Sequence, residues 1–347
     1  MSPILGILAA SLAALADASQ CAQCHPSQFR RQMKSAHAAA LRPIAEHPLV
    51  RSFPAGNKLT RKPDFKFEFA FAPDFRVRIS GSGGLMDLPI EWAFGAGRQA
   101  VTFVTRVNKD WYVEHYATYY PALGSYASTP GQDAVQPKSL AEAAGVLYKI
   151  RDPVTGIAGC FQCHSTGPVS FGPDGEVGLT EPGVRCEACH EDGTAHAANP
   201  SKGRVRNPKN FSAAQINDFC GRCHRPPAAP GVNIDWNYSW NVRHQPVYLN
   251  ESRCFQRSLR RSQGGLSCLT CHDPHEPAGR KRAADYNRQC ALCHTNPGRP
   301  PKPACLAQTP ANCIDCHMPM ISPQPPLRFT NHWIGVYRDG AKLKPLR

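Results

Sequence analysis

The sequence predicts a mostly α-helical and coil fold wrapped around flat, covalently held cofactors, with a small antiparallel β insertion after the first of them. Three observations carry that reading. Seven copies of C-x-x-C-H run through 347 residues, proline (33) and glycine (27) are abundant, and one stretch of alternating aromatic residues stands apart from the motifs.

The motifs are Cys21/Cys24/His25, Cys160/Cys163/His164, Cys186/Cys189/His190, Cys220/Cys223/His224, Cys268/Cys271/His272, Cys290/Cys293/His294 and Cys313/Cys316/His317, and they use 14 of the 16 cysteines. Two thiols at this spacing can add to the two vinyl groups on one edge of a porphyrin, and the following His then donates an axial nitrogen to iron. Seven covalent c-type haems are the expectation. Zinc is the competing use of C-x-x-C pairs, but zinc sites do not require His after the second Cys, and here it follows all seven times. A thioredoxin-like reading needs one such motif beside a β-α-β pattern.

A chain with fewer than 50 residues per haem cannot build a mainly aliphatic core. The porphyrin faces must supply much of the buried apolar surface, so the expected fold is a mostly α and coil multihaem protein around stacked haems, largely unfolded without them. Proline and glycine at this density favour short elements joined by turns. The net charge of +14 does not imply nucleic-acid binding. Seven haems bring about −14 from their propionates, and the scattered arginines suit bidentate pairing with those carboxylates.

Ile4 to Leu15 is apolar or small and leads to two A-x-A sites, the pattern of a signal peptide over 1–16, although no Lys or Arg precedes Arg30. An apolar N-terminal anchor is the alternative, since the run is too short for an ordinary transmembrane helix. No other segment has the character of a membrane span. A periplasmic or extracellular location is expected, in line with thioether attachment outside the cytoplasm.

No motif lies between Pro26 and Gly159, and six crowd into Cys160 to His317. In the gap, Phe65, Phe67, Phe69 and Phe71 alternate with other residues, as do Phe75, Val77 and Ile79, which is the period of half-buried strands. Val101 to Val107 and Trp111 to Tyr120 are β-prone. An antiparallel sheet is expected over 62–120, and a helix over Ser139 to Tyr148. The organisation is a first-haem segment (17–61), a β-rich insertion (62–150) and a hexahaem domain (151–347). In that last part the clearest helix is Phe211 to Cys220, with Ser212 as N-cap.

Seven histidines lie outside the motifs: His37, His47, His115, His196, His244, His275 and His332. Their number matches one second axial ligand per haem, which would leave every iron capped on both faces. The segments KSAHA around His37, GVRCEACHEDGTAHA with His196, LSCLTCHDPHEP with His275, and CHMPM followed by FTNHW at His332 resemble a large group of exported bacterial multihaem cytochromes. That group is similar in haem packing to the tetrahaem cytochromes of ammonia oxidisers, pentahaem nitrite reductases and octahaem hydroxylamine oxidoreductases. The resemblance runs from Cys21 to about Arg338 and implies that His37, His196, His275 and His332 are distal ligands. His244 in an aromatic, Pro-bounded segment, His47 before Pro48, and His115 on a strand face complete the expected set. Met33, Met318 and Met320 are alternative ligands.

The leftover Cys254 and Cys305 could form a disulfide in an oxidising compartment, or remain two separate thiols. The function expected is electron transfer through mainly bis-His haems to and from redox protein partners. The alternatives are an oxidoreductase with one open haem acting on a small nitrogen or sulfur compound, and a homo-oligomeric subunit of an extracellular filament. The C-x-x-C-K motif usual in nitrite reductases is lacking, but the hydroxylamine-oxidising relatives use C-x-x-C-H at the catalytic haem, so the enzymatic reading stays open.

Overall fold

A computed structural model describes residues 18–71, 74–229, 231–260, 265–276, 281–294, 312–338 and 340–346. The expected leader and Cys305, and with it the Cys254–Cys305 pairing, lie outside these residues.

The N-terminal half is built on two antiparallel sheets. One joins β1 (Leu41–Pro43), β6 (Trp92–Phe94), β7 (Val101–Arg106), β8 (Trp111–Tyr120) and β10 (Gly145–Lys149) in that order, with β9 (Ser125–Ser128) also paired to β8. The other is a meander of β2 (Lys58–Arg61), β3 (Phe65–Ala70), β4 (Arg76–Gly81) and β5 (Gly84–Pro89). The phenylalanine alternation gives β3 one buried face: Phe65, Phe67 and Phe69 are buried while Lys66, Glu68 and Ala70 are exposed. Those rings and Val77 and Ile79 of β4 meet Phe103, Tyr116, Tyr119 and Tyr126 of the six-stranded sheet in one core. Phe69 lies 3.7 Å from Tyr126 between ring centroids, and Phe67 lies 5.5 Å from Tyr116. A buried guanidinium ties the edge: Arg61 donates to the carbonyls of Gln132, Val135, Glu142 and Ala143 and sits over the Tyr116 ring.

The β unit thus starts at Leu41, earlier than the period-2 signal. The helix expected over Ser139 to Tyr148 is only Leu140–Ala144, N-capped by the Ser139 side chain, and the chain continues as β10. Gly145 makes the switch at φ +153, where a Cβ would lie 1.9 Å from the Glu114 carbonyl oxygen. Beyond it, Val146, Leu147 and Tyr148 pair with β8, so cross-strand bonding overrides the local helical pattern.

The second face of the six-stranded sheet receives the helix Ile157–His164, which carries the second motif. Phe161, between the two cysteines, is fully buried against Trp92, Phe94, Tyr112 and Phe171. From there the chain runs through a hairpin, β11 (Ser165–Phe171) and β12 (Val177–Pro182), into the remaining motifs. Helices replace long strands. The longest among the described residues are Ala213–His224, closed at its start by a capping box between Ser212 and Gln215, and Ala283–His294. Side-chain packing thins out as well: a small core of Val242, Val247, Tyr248 and Ile321 packs with aromatic neighbours that include Trp236 and Trp333, and Ile216, Leu249, Phe255 and Leu327 are buried apart from it.

Candidate haem-binding cleft

Five of the seven motifs lie on a helical turn that ends at or just before the motif His: Ile157–His164, Ala213–His224, Cys268–Cys271, Ala283–His294 and Cys313–His317. The third begins with the 3-10 turn Cys186–Ala188, and the first follows Ala18–Ala22. Helical spacing explains the motif. Residues i, i+3 and i+4 share one helix face, so both thiols and the imidazole project to the same side.

Those faces turn inward. A continuous cleft of about 5440 Å³ is lined by residues of all seven motifs together with His37, His196, His275 and His332. Ordinary small-molecule pockets measure roughly 300–1,000 Å³, so this space suits several large planar groups. Thiols of different motifs meet within it: Cys21 with Cys186, Cys163 with Cys223, Cys220 with Cys268, and Cys290 with Cys313. Among the described residues, no three His, Cys, Asp or Glu side chains converge as a bare-ion site would need.

Four motif histidines each face one histidine from outside the motifs across the cleft. Ring centroids are 6.5 Å apart for His25 and His196, 6.1 Å for His190 and His275, 6.1 Å for His224 and His37, and 6.3 Å for His272 and His332. An iron held between two imidazoles, with metal–nitrogen bonds of about 2 Å, sets the ring centroids roughly 6 Å apart.

Hydrogen bonds select the nitrogen that faces the gap. Nδ1–H of His196 donates to the Gly203 carbonyl (3.0 Å), that of His332 to Thr330 (2.9 Å), that of His37 to Pro274 (3.4 Å), and that of His275 to the Asp273 carboxylate (2.8 Å). Motif histidines do the same: His164 to Ala40 (3.0 Å), His190 to Arg206 (3.2 Å) and His317 to Gly335 (2.8 Å). With Nδ1 so engaged, the tautomer leaves the Nε2 lone pair for a metal. Burial pushes the His224 and His332 imidazoles down to about 4, which keeps them in the neutral, ligating form.

The structure does not bring His47 or His115 to the motifs. Both are buried in the β unit with Nε2 already used. His47 donates from Nε2 to the Gly95 carbonyl (2.9 Å) and accepts the Leu49 amide at Nδ1. In His115, Nε2 donates to Thr105 Oγ1 (2.8 Å), whose own proton goes to the Pro89 carbonyl, and burial lowers its pKa to about 4. His244 follows the turn Ser239–Arg243, half-buried, with its pKa lowered to about 4 by burial and then by the nearby charges of Arg225 and Arg243. The Met33 sulfur is in contact with the Arg185 guanidinium.

No sequence signal marked the acceptors that orient the distal rings. Gly203 is one: its carbonyl holds His196, and a Cβ there would fall 2.6 Å from the His196 Cα. Asp273 is another, its D-x-H spacing from His275 visible only in hindsight.

The donor set and the cleft therefore fit haem c. A family model described as cytochrome c554 and c-prime matches residues 125–191, which include the second and third motifs. Over 92% of this chain and 79% of the other, the structure matches the outer cell wall cytochrome OcwA with a TM-score of 0.55 at 16% identity. The fold is one shared with that cytochrome. An undecahaem cytochrome from the S-layer of Carboxydothermus ferrireducens matches over 82% of this chain and 43% of the other, with a TM-score of 0.45 at 17% identity. No curated protein matches the sequence of this chain. The family match over 125–191 and the fold shared with OcwA do not reach the tetrahaem, pentahaem or octahaem enzymes of the expected resemblance. No helix among the described residues is long and apolar enough to cross a membrane.

Proposed function

We propose that the chain is a seven-haem c-type cytochrome that passes electrons between redox protein partners outside the cytoplasm. The observation that carries this reading is the set of four imidazole pairs across the cleft, each at the separation two axial ligands require. In this reading the motif cysteines hold haem by thioethers, and His25/His196, His190/His275, His224/His37 and His272/His332 are the axial pairs. The haems supply reversible one-electron chemistry. The protein orients the imidazoles through Nδ1 and presents Nε2, and burial keeps His224 and His332 neutral. Capped irons change geometry little on reduction, which suits transfer rather than turnover. The meeting of thiols from different motifs supports short edge-to-edge spacing between haems. The export expected from thioether chemistry agrees with the cell-wall setting named for the structural relative. Intact mass under denaturing conditions should show seven haem additions; fewer than six, from a strain with full maturation machinery, defeats the reading.

A second reading is favoured by His164. Its Nε2 is free, its ring packs on Phe94 at 5.2 Å, and no second imidazole faces it among the described residues. His317 is in the same position, and the chain beyond His294 leaves the described residues at once. With His47 and His115 committed to the β unit, an iron open to a small nitrogen or sulfur compound follows. Carbon monoxide binding to the reduced protein distinguishes the two. Full capping gives no shift, whereas an open iron gives a shift and a high-spin signal in the oxidised protein.

A further inference from the structure

Three of the four distal rings share one device and the fourth departs from it. His37, His196 and His332 each donate Nδ1–H to a neutral backbone carbonyl, whereas His275 donates to a carboxylate, Asp273 Oδ1, at 2.8 Å. The same oxygen also accepts the His275 backbone N–H at 3.0 Å, so the carboxylate is locked by its own turn and the imidazole meets it preorganised. Its other oxygen, Oδ2, lies 3.4 Å from Arg31 Nη1, and Arg31 is shared with Glu276 at 3.1 Å. Arg31 belongs to the helix Pro26–Gln32, which directly follows the first motif.

A proton held between imidazole and carboxylate is drawn toward the carboxylate, which leaves more negative charge on the ring and makes Nε2 a stronger donor to iron. A stronger anionic donor stabilises the ferric state and lowers the reduction potential. Asp273 and His275 are each about a third exposed, which attenuates the effect without cancelling it, because the hydrogen bond is direct.

We propose that Asp273 is a positioning residue that acts through His275 to hold the potential of the haem on Cys186 and Cys189 below that of a haem with carbonyl-bonded imidazoles, and that Arg31 partly offsets it. This rests on the axial pairing of His190 with His275 proposed above. Asp273→Asn keeps both hydrogen bonds to His275 at Oδ1 and removes the charge, together with the Arg31 contact at Oδ2.

The test is a potentiometric titration of the fully loaded protein, followed by visible and EPR spectra. In Asp273→Asn, one of the seven transitions should move to higher potential and the other six stay. The ferric g-values of that one haem should shift with it. Arg31→Gln should move the same transition to lower potential, and Glu276→Gln, which touches no imidazole, should leave its g-values alone. An Asp273→Asn protein that stays low-spin with all seven midpoints unmoved overturns the proposal. If that variant instead becomes high-spin at one haem, Arg31→Gln decides, and an unmoved transition there overturns it equally. His275→Ala separates this from the ligation reading. One new high-spin haem upholds the ligand while leaving the charge effect to the other variants; no new high-spin haem removes the ligand and the proposal together.

Discussion

The β unit and the motif-bearing half use the same residue types under opposite rules. In the β unit, aromatic rings pack on one another, and a histidine such as His115 is one more buried side chain whose Nε2 is spent inside the protein. Past the hairpin β11–β12, helices replace long strands, the side-chain core is small, and histidines face each other across open width with Nε2 free. Side-chain packing closes the first region, and in the proposed reading haem faces close the second. Burial and histidine content therefore say little about ligation here; which ring nitrogen is engaged says a great deal.

The largest expected break in this comparison comes from withholding haem. Hydrogen exchange on the apo-chain should find the segment 186–338 unprotected while β3, β4, β7 and β8 keep slow amides. Equal protection, or equal loss, in both regions would show that they do not draw on different sources of stability. Next in size is a cut into the aromatic core. Phe67→Ala should cost about 3–5 kcal/mol in the β unit by denaturant titration, while the haem absorption spectrum stays that of wild type.

Acid sharpens the same contrast. The buried His115 has its pKa lowered from 6.5 to about 4, so the unfolded chain takes up a proton before the folded one does. Its contribution is fully present above 6.5, declines as pH falls, and is gone near 4, a loss of at most about 3 kcal/mol. His115→Asn should flatten this part of the pH–stability curve; an unchanged slope would assign it to other groups. The smallest effect on stability is the most diagnostic. His47→Ala and His115→Ala should each cost about 1–3 kcal/mol, as buried partners are left unsatisfied, with no change of spin state. His332→Ala should convert one haem to high-spin with little loss from the β unit. A high-spin signal in His115→Ala would reverse the reading of its Nε2.

The motifs were legible in full, because C-x-x-C-H needs only a helical turn to place its three side chains together. The strand alternation at Phe65, Phe67 and Phe69 was equally plain, since a period of two admits one buried face. The histidine pairing was half legible. Seven spare histidines for seven motifs suggested complete capping, but a count carries no information on ring nitrogens: His47 and His115 engage Nε2 within the β unit, whereas His196 and His332 engage Nδ1. Nor could local sequence show that Gly145 diverts a helix into β10, because the competing interaction lies across the sheet at Glu114 and His115.

The imidazole pairs also decide how the chain can be assembled. Their spans, 25 to 196, 37 to 224, 190 to 275 and 272 to 332, overlap end to end like the links of a chain mail. No cut between His25 and His332 leaves every pair on one fragment, so no shorter piece of this stretch completes all four. In the proposed reading the pairs close in chain order as the polypeptide emerges, the site at His25 waiting for residue 196 and the site at His272 for residue 332. A truncation that spares all seven attachment motifs but stops before His332 would still leave the centre at His272 unfinished.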